Sequence, residues 1–393
     1  MSDVVVTGRG CVAPVGVGAD TVFDALLAGR GAINEEGLAP CAEFDPEQAL
    51  TPKEARRTDR FTHFAVTAAL EAAAEAGLDE NAVEPSRLGV VVGTGIGGLT
   101  TMQEQVLTWA KEGDRAVSPL FVPMMMPNAA AAHIAMKLGA HGPGFSLATA
   151  CATGAHAIGE AKRMIERGEA DVVVAGGTEA ALIGVCVAAF NRMGALSREK
   201  ISRPFDARRD GFCMGEGAGI LVLEREEHAK ARGARILARV AGYAATNDAY
   251  HITQPDENGR GATDAMTGAL RDADASPQDV GYVNAHGTST PYNDRIEALA
   301  VRKVLGEDTP PISSIKGHIG HSLGAAGAIE AVVCVDALQR KAAPPTLGLE
   351  EIDPDCAADH IVGGPRELPD LELVLSNSFG FGGQNATLAL AAA

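Results

Sequence analysis

Strand-like and helix-like segments alternate along most of this 393-residue chain, and this alternation limits the possible folds more than any other feature. The pattern is clearest in the second half. Apolar runs there predict strands at 236–240, 280–284, 311–315 and 371–376, and helical spacing predicts helices that include 262–273 and 324–338. Alternating β and α segments favour a mostly parallel sheet covered by helices on both faces. We therefore expect an α/β fold.

The first half carries a similar arrangement of segments, which indicates an internal duplication. A chain of 393 residues accommodates either two ordinary domains or one large duplicated fold. The hydrophilic segment 230–235 separates the two halves, so we divide the chain into residues 1–233 and 234–393. In the first half we expect strands at 4–7, 88–92 and 170–177, helices at 20–27 and about 53–76, and loops at 32–50 and 121–128.

Charge and cysteine content exclude several classes of protein. The formal net charge is −18, which argues against general binding to nucleic acid or to an anionic membrane surface. The seven cysteines are scattered and form no C-x-x-C pair, so we predict neither a zinc site nor a disulfide framework. Reduced thiols fit a cytoplasmic enzyme. We see no signal peptide and no apolar run long enough to span a membrane.

A glycine-rich segment follows the predicted strand at 88–92. Gly93, Gly95 and Gly98 match the pattern G-x-G-x-x-G. In dinucleotide-binding proteins this pattern comes before an acidic residue that holds a ribose, and no strand ending in such a residue follows here at the right distance. We therefore expect no nicotinamide or flavin site, and we predict no cofactor. The glycines more simply allow another segment or a substrate to approach the backbone.

The segment 145–156 is an apolar run followed by Cys151, small residues and helical spacing. This pattern predicts a strand, a tight turn and a helix that begins at the cysteine. A helix N-terminus carries partial positive charge and unpaired N–H groups, so a thiol there should lose its proton more easily and act as a nucleophile. A lone cysteine is more commonly a buried core residue, and this segment alone leaves that alternative open.

Three stretches of the second half place reactive residues at strand ends or in turns. The first, 284–290, has a histidine where an apolar strand ends. The second, 313–327, has a lysine and two histidines in a glycine-bounded loop before a helix. The third, 377–385, is a glycine loop with two phenylalanines after the last predicted strand. A single histidine is usually structural, but these groups and Cys151 would gather at the carboxyl edge of the sheets, where open α/β folds build their sites.

Four motifs in these stretches resemble those of the elongating β-ketoacyl-acyl carrier protein synthases, within the thiolase-like superfamily. They are TACATG at 149–154, NAHGTST at 284–290, Lys316 followed by GHSLGAAG at 320–327, and NSFGFGG at 377–383. The similarity covers nearly the whole chain. It implies a thiolase-like fold, with duplicated mixed or parallel five-stranded sheets in a layered αβαβα arrangement. It also implies decarboxylative Claisen condensation with malonyl-carrier protein in fatty-acid or type II polyketide chain elongation.

The resemblance implies a role for each reacting group. Cys151 would take the acyl group from a carrier protein as a thioester. The Nε2–H groups of His286 and His321 would stabilise the enolate that forms as carbon dioxide leaves. Backbone N–H groups of Cys151 and Phe381 would form a second oxyanion hole, for the tetrahedral state at the acyl carbonyl.

The same resemblance indicates the subclass. Lys316 would order the histidine electrostatically, with Glu330 as its partner. Related synthases that start chains on coenzyme A primers have Asn at the position of His321, and thiolases have a second cysteine near the C-terminus, where this chain has Phe381. Cysteine with two histidines therefore favours decarboxylative elongation over a thiolase.

Several assemblies agree with the resemblance. The implied partner is an acyl carrier protein, which brings the phosphopantetheine arm with it. The chain would form a homodimer, or it would be the catalytic half of a heterodimer with a chain-length-factor homologue. A non-catalytic chain-length partner lacks the nucleophile, so Cys151 argues against that alternative.

Further positions carry over from the resemblance. Thr288, Thr290 and nearby Thr253 would bind the phosphopantetheine arm; Ile96 and Phe381 would be gates to the acyl tunnel; Phe205 would be a wall of the entrance; and Asp248 and His251 would belong to a loop that closes over the site. Lys53, Arg56, Arg57, Arg115 and Arg209 resemble the basic rim that receives the acidic carrier protein. Asn284, Glu330, Ser376 and Asn377 resemble a structural monovalent cation site in some relatives.

The sequence departs from the family pattern at three places. The segment 31–53 is shorter than in typical fatty-acid enzymes, His318 replaces a residue that is often apolar, and Gln384 replaces a common threonine. These changes favour a specialised pathway, for example a polyketide or polyene system, over housekeeping fatty-acid synthesis.

Overall fold

The computed structural model describes residues 3–79 and 81–393. In the N-terminal half the strands are β1 (Val4–Ala13), β2 (Gly16–Val17), β3 (Leu38–Ala39), β4 (Leu88–Gly93), β5 (Gly144–Phe145), β6 (Val172–Glu179), β7 (Met214–Gly215) and β8 (Gly217–Arg225). The helices of this half are α1 (Ala19–Leu27), α2 (Pro52–Ala55), α3 (Arg60–Ala76), α4 (Leu99–Glu112), α5 (Phe121–Met125), α6 (Ala129–Leu138), α7 (Thr153–Glu166), α8 (Gly184–Met193) and α9 (Glu226–Ala231).

The C-terminal half repeats this arrangement with fewer insertions. Its strands are β9 (Ala238–Asn247), β10 (Tyr282–Asn284), β11 (Ile312–Ser313), β12 (Ala342–Ala343), β13 (Arg366–Glu367), β14 (Leu373–Gly380) and β15 (Gln384–Ala391). Its helices are α10 (Arg260–Asp272), α11 (Pro291–Leu305), α12 (Lys316–Ile319) and α13 (Ala326–Arg340).

Each half contributes five strands to one large mixed sheet, in the order β5-β4-β6-β8-β1 and then β9-β15-β14-β10-β11. The two sets meet at the edge between β1 and β9, where Val5 pairs with Arg239 and Val6 pairs with Ala238. The predicted pair of five-stranded mixed sheets is confirmed. The short β2 adds to β1 as a hairpin.

Helices form three layers around these two sets of strands. In the middle, α7 contacts β6 and β8 of the first set and also β15 of the second, and α13 contacts β8 and β14. Outside the first set lie α3 and α6, and outside the second lies α10 with its neighbour α11. This is the αβαβα arrangement that the resemblance implied, and it places α7 and α13 between the two halves.

Small residues allow the two central helices to touch along their backbones. A Cβ added to Gly154 of α7 would lie only 2.5 Å from the backbone nitrogen of Ala328 in α13. No real Cβ approaches a backbone nitrogen that closely, so glycine is required there. This contact brings the start of α7 close to the start of α13, where the reactive residues of both halves lie.

The expectation of a mostly parallel sheet is wrong. The strands nearest the junction are antiparallel, since β1, β6 and β8 pair in this way, as do β9, β14 and β15. Within the described part of this large sheet, only the outer pairs, β4–β6, β4–β5, β10–β14 and β10–β11, are parallel. In the second half, the antiparallel pairing of β14 with β15 results from a tight turn at Phe381–Gly383, which joins the two strands directly.

Three further segments differ from the predictions. The helix predicted at about 53–76 is broken, because Asp59 accepts the N–H of Phe61 at 3.3 Å and thereby begins a new helix, α3. The segment predicted as a loop at 121–128 contains α5, and the glycine loop near the C-terminus is followed by one more strand, β15. Among the described residues, none of the helices is both long and apolar enough to cross a membrane.

Candidate active site

The chain turns sharply where it presents Cys151. Ala150 has a φ of 48°, in the left-handed region that residues with a Cβ rarely adopt. Thr153 stabilises the turn, because its Oγ1 donates to the Ala150 carbonyl at 2.7 Å and accepts the N–H of Thr149 at 2.8 Å. A 3₁₀ turn spans Ala150–Ala152, and α7 continues from it. The cysteine therefore lies one short turn before the helix that was predicted to begin at it.

Two histidines of the C-terminal half lie beside this sulfur. His286 follows β10 and His321 lies between α12 and α13. One reactive atom from each of Cys151, His286 and His321 lies within 4.8 Å of the other two. The imidazole centroids are 5.4 Å apart, with the rings almost perpendicular at 83°. All three side chains are buried, so the structure brings the predicted trio together at the junction of the halves.

The thiol is less acidic than the sequence predicted. Burial raises the pKa of Cys151 to about 11, although the Lys316 charge and the backbone N–H of Phe381 both lower it. Desolvation of the thiolate is larger than the favourable effect of these groups. The expectation that the helix N-terminus makes this thiol ionise easily is therefore wrong for the free enzyme. The resting nucleophile is a neutral thiol.

Both active-site imidazoles are uncharged at neutral pH. Burial lowers the pKa of His286 and of His321 well below the usual range, and the charge of Lys316 lowers both further. A neutral imidazole offers one N–H donor and one acceptor nitrogen. Within the described residues, neither ring nitrogen of His321 has a hydrogen-bond partner. Such buried atoms cost free energy unless a ligand bonds to them.

Lys316 and Glu330 form a buried ion pair behind His286. The Lys316 Nζ contacts a carboxylate oxygen of Glu330 and the carbonyl oxygen of His286, and it lies 3.5 Å from the Nδ1 of that ring. Both charged side chains are 1% exposed. Burial raises the pKa of Glu330 to about 7, although Lys316 lowers it. The predicted pairing of Lys316 with Glu330 is present in the structure.

Two buried carboxyl groups of α11 were missed by the sequence analysis. Glu297 accepts the N–H of His286 at 2.8 Å and that of Gly287 at 2.7 Å. Asp294 accepts the N–H of Ser289 at 3.1 Å. These carboxyl groups fix the backbone of the loop that carries His286. The sequence offered one clue. A helix begins directly after 284–290, so carboxyl groups in its first turns can reach the backbone of that loop.

A cavity of about 290 Å³ leads to the trio. Several residues predicted to contact substrate line it: Asp248, Thr253, Thr288, Thr290 and Phe381. The Oγ1 atoms of Thr288 and Thr290 lie 2.9 Å apart. The Asp248 carboxylate accepts from Asn385 at 2.7 Å and from the N–H of Asp256 at 3.1 Å, which ties the loop over the cavity to β15.

Three other residues predicted at the substrate site do not line this cavity. Phe205 is completely buried and its ring packs against His360 at 4.6 Å, so its interpretation as a wall of the entrance is wrong. Ile96 lies outside the cavity lining and is 42% exposed. His251 is exposed, and its Nδ1 accepts the N–H of Thr253 at 3.2 Å within the loop.

Aromatic and flexible apolar side chains that were not predicted form much of the cavity wall. The additional lining residues include Phe190, Met193, Phe212, Tyr292 and Phe379. Phe212 packs edge-on against His321 with centroids 5.2 Å apart, and Phe379 packs against His286 at 5.9 Å. These contacts restrict the orientation of the two imidazoles and keep water away from them.

The residues predicted to receive a carrier protein fall into two groups. Lys53, Arg56, Arg57 and Arg115 are exposed. Arg209 is buried and pairs with Asp353 at 2.6 Å, and it also donates to backbone carbonyls. Its predicted place on a basic rim is therefore wrong, because its guanidinium is already satisfied inside the protein.

The four residues considered for a monovalent cation lie in the interior of the C-terminal half. Asn284 donates to Ser376 at 3.4 Å. In the described part of the chain, Asn284 Oδ1 and Glu330 Oε2 are buried without a hydrogen-bond partner, and oxygen ligands of this kind suit a hard cation. Asn377 instead donates to Glu297 at 3.3 Å. Only Asn284 and Glu330 thus offer unused side-chain oxygens.

Models of one protein family match both halves of the chain. The N-terminal domain of β-ketoacyl synthase matches residues 1–229, and the C-terminal domain matches residues 237–350. The chain belongs to the β-ketoacyl synthase family. The division at residue 233 falls between the two matches and stays a prediction.

Similar proteins of known name share nearly the full length of this β-ketoacyl synthase. The 3-oxoacyl-[acyl-carrier-protein] synthase 2 of Synechocystis sp. is 45% identical, over 98% of this chain and 97% of the relative. The protein of the same name from Vibrio cholerae is 42% identical, over 98% of each chain.

Solved structures of ketosynthases have the same fold. The ishigamide ketosynthase/chain length factor is 34% identical with a TM-score of 0.94, over 100% of this chain and 99% of that one. A type II polyketide synthase ketosynthase, bound to the hexaketide and in complex with its acyl carrier protein, is 33% identical with a TM-score of 0.90, again over 100% and 99%. The predicted thiolase-like fold of this β-ketoacyl synthase is confirmed.

Proposed function

We propose that this β-ketoacyl synthase joins an acyl chain to a malonyl unit on an acyl carrier protein, with loss of carbon dioxide. The observation that carries the proposal is the buried trio of Cys151, His286 and His321, within 4.8 Å of one another at the floor of a cavity. A sulfur nucleophile beside two neutral imidazoles suits a reaction in which a thioester forms first and an enolate develops second.

In the first step, the Cys151 sulfur attacks the thioester carbonyl of an acyl-carrier protein, and the carrier thiol leaves. The raised pKa of Cys151 keeps it protonated at rest, so the proton must leave the sulfur as the bond to carbon forms. The carrier sulfur takes up this proton and leaves as a thiol, so His286 stays neutral throughout the step. The backbone N–H of Phe381 is directed at the sulfur and, with the N–H of Cys151, stabilises the oxyanion.

In the second step, a malonyl-carrier protein enters the same cavity. Its carboxylate leaves as carbon dioxide, and the electron pair of the broken C–C bond forms an enolate. N–H donors from His286 and His321 stabilise the enolate oxygen, and the unpartnered ring nitrogens of His321 support this role. The carbanion then attacks the thioester carbonyl on Cys151, and the sulfur leaves and regains a proton.

The buried pair behind His286 sets the state of that ring. The positive charge of Lys316 lies 3.5 Å from Nδ1 and opposes a second proton on the imidazole. Glu330 compensates the lysine charge, which would otherwise be expensive to bury. Lys316 and Glu330 are therefore positioning residues that keep His286 neutral and fixed.

The phosphopantetheine arm of the carrier protein would extend through the cavity. The hydroxyls of Thr288 and Thr290 lie on its wall and can bond to the amides of the arm, and Thr253, which follows Asp248 in the loop over the cavity, also lines it. The separation of Ile96 from this cavity favours a place for it on the acyl side of the sulfur, where the acyl chain would extend.

The acidic carrier protein would dock on exposed basic residues. Lys53, Arg56, Arg57 and Arg115 are exposed, and none of them forms an ion pair with the residues that the structure describes. Arg192 has the same properties and lies at the end of α8, next to a residue that lines the cavity. In a chain of net charge −18, exposed cations that form no ion pair among the described residues favour an acidic partner.

A second subunit would cover the apolar face around β5. The edge strand β5 is only two residues long and Phe145 is 42% exposed, and α4 and α5 expose further large apolar side chains. These are Val106, Leu107, Trp109 and Val122. We propose a homodimer here, and a heterodimer with a chain-length-factor homologue in a specialised pathway as the alternative. The alternative rests on the fold neighbours that contain such a factor and on the sequence departures described above.

No resident cofactor is required for this chemistry, since the phosphopantetheine arrives on the carrier protein. We place the enzyme in the cytoplasm. The support for this location is the set of seven free cysteines, which suits a reducing compartment.

The test is to incubate the purified enzyme with a panel of acyl-carrier proteins and to measure the mass added to the intact chain. We expect one acyl group at Cys151, and release of carbon dioxide and a β-ketoacyl product when malonyl-carrier protein is added. Cys151→Ala should abolish acylation and condensation. Cys186→Ser is the matched control, because Cys186 is half-buried outside the lining of the cavity. A Cys151→Ala variant that still condensed would refute the proposal.

The assembly is tested separately. Native mass measurement of the chain alone, and after coexpression with a chain-length-factor homologue, distinguishes the two dimers. A stable pair of identical chains with full activity supports the homodimer. Activity that appears only after coexpression supports the heterodimer.

A further inference from the structure

The arrangement of side chains at the floor of the cavity matches the needs of a transition metal. We propose that Cys151, His286 and His321 together bind one zinc ion, which reversibly blocks the enzyme. The inference does not depend on the proposed reaction, since binding requires only the three side chains and access to them.

The three ligand types and their spacing fit zinc. Thiolate sulfur and imidazole nitrogen are the preferred zinc ligands, at about 2.3 Å and 2.0–2.1 Å from the ion. In a tetrahedral site such ligand atoms are roughly 3.3–3.8 Å apart. The candidate atoms lie within 4.8 Å of one another. The widest separation therefore needs to close by about 1 Å, which small side-chain rotations can supply.

The ring of His321 can bind a metal without breaking an existing hydrogen bond. Both nitrogens of His321 are buried and unpartnered in the described part of the chain. The Nδ1 of His286 lies 3.5 Å from Lys316, which leaves its Nε2 for the metal. In metal-bound histidines the opposite nitrogen commonly donates its N–H to an acceptor, so zinc at Nε2 requires Lys316 to lose a proton and to face this ring as a neutral amine.

The opposing charge is partly compensated. Lys316 lies close to the trio and repels a cation, but it is paired with the buried carboxylate of Glu330. A second buried carboxyl group, Glu179, also lies close enough to Cys151 to act on it electrostatically. The pairing with Glu330 offsets the lysine charge, and the thiolate that forms when the thiol releases its proton to solvent attracts a divalent cation.

Bound zinc would prevent both steps of the reaction. The metal would form a bond to the sulfur, which then could not accept an acyl group, and bonds to the two ring nitrogens, which then could not donate to a thioester oxygen. Three protein ligands leave the fourth position open toward the cavity, where Phe212 and Phe379 form the wall. A water molecule would complete the coordination, and no oxidant or reductant is involved.

The test is a zinc titration of the full-length enzyme, free of affinity tag and of carrier protein, by calorimetry. Cobalt(II) is the spectroscopic probe, because thiolate ligation produces a charge-transfer absorption band that oxygen ligands do not produce. We expect one zinc ion per chain, a thiolate-to-cobalt band, and loss of condensing activity that a chelator restores. Cys151→Ala should remove the band, and His321→Ala should weaken binding by about tenfold or more.

Controls keep the result interpretable. Cys186→Ser should bind zinc as the wild type does, and wild-type enzyme alkylated at Cys151 should not bind, which avoids dependence on how the variants fold. The inference is overturned if millimolar zinc shows no saturable binding, or if binding survives both Cys151→Ala and alkylation. These titrations contain no acyl substrate, so they can fail while the proposed condensing activity holds, and the reverse is equally possible.

Discussion

Lys316→Met should destabilise the protein strongly at pH 8, because the Glu330 carboxylate loses the one charged partner that it has among the described residues. Removing one member of a buried ion pair typically costs about 3–5 kcal/mol. The Lys316 Nζ also contacts the carbonyl of His286, and an orphaned buried carbonyl adds about 1–3 kcal/mol. We therefore expect the free energy of unfolding to fall by about 4–8 kcal/mol, measured by chemical denaturation.

The loss should be smaller in mild acid. Burial already raises the pKa of Glu330 from 4.5 to about 7 with the lysine present, and its removal raises this pKa further. Over the interval between the unfolded and folded pKa values, the native state holds a proton that the unfolded state has released, so stability falls as pH rises. The variant should thus be more stable at about pH 5 than at pH 8, and its stability should level off only above the folded pKa.

Replacing both partners distinguishes stability from catalysis. Lys316→Met combined with Glu330→Leu should recover most of the lost stability, because apolar replacement of a whole buried pair is often neutral or stabilising by about 1–4 kcal/mol. Condensation should stay low, since His286 loses the group that orders it. Arg167→Met, which breaks an exposed pair, is the control and should change little. Wild-type stability of Lys316→Met at pH 8, or full activity of the double variant, would refute this reasoning.

Three other outcomes are expected. His321→Ala should lower the rate of condensation by about 10²–10³-fold, which is the usual cost of losing one oxyanion donor. Acylation of Cys151, measured as added mass, should change only a few-fold. Equal losses in both steps would contradict the assigned role. The rate of Cys151 alkylation should rise about tenfold per pH unit between about pH 7 and 9, because only the thiolate reacts and burial raises the thiol pKa to about 11. A rate that levels off near pH 7 would show that this pKa is wrong. Gly154→Val should prevent stable folding, measured by yield and thermal unfolding, because the valine side chain would collide with Ala328. The control Gly184→Ala should behave as the wild type, because an added Cβ there has no neighbouring atom within 4 Å. A stable Gly154→Val enzyme would contradict the packing described for the central helices.

The reactive trio could be predicted from sequence because each member lies within a short and distinctive motif. Cys151 follows an apolar run and precedes a helix, and His286 ends a buried strand. Local patterns of this kind predict the folded structure well, because residues adjacent in sequence determine the turn. The meeting of these groups was inferred from their places at the carboxyl edge of the predicted sheets, and the structure brings the trio together beside the contact between the two central helices.

Side chains that act at long range could not be assigned from their neighbours in sequence. Glu297 occupies an ordinary helical position, and only the folded chain shows that it bonds to the backbone of His286. Arg209 reads as a surface cation, but its partner Asp353 is 144 residues away. Phe205 and Phe190 are equally apolar, and the choice of which one lines the cavity depends on where α8 packs.

The thiol pKa and the sheet direction were mispredicted for a related reason. The helix N-terminus suggested an acidic thiol, but the extent of burial at Cys151 is a property of the whole assembly of layers. Likewise, alternating segments indicated parallel strands, while the tight turn at Phe381–Gly383 made β15 an antiparallel neighbour. The alanine-rich β15 also has only one β-branched residue, Thr387, of the kind by which strands are usually recognised.

The contact between Gly154 and Ala328 bears on how enzymes of this kind acquire new products. One added carbon at Gly154 would push apart α7, which begins just after Cys151, and α13, which follows His321. Substitutions near the reacting groups are therefore poorly tolerated. Diversity in the acyl group must then arise around the rim. A mutant library for altered products should vary positions such as Phe190 and Met193 and keep the sequences of the two central helices invariant.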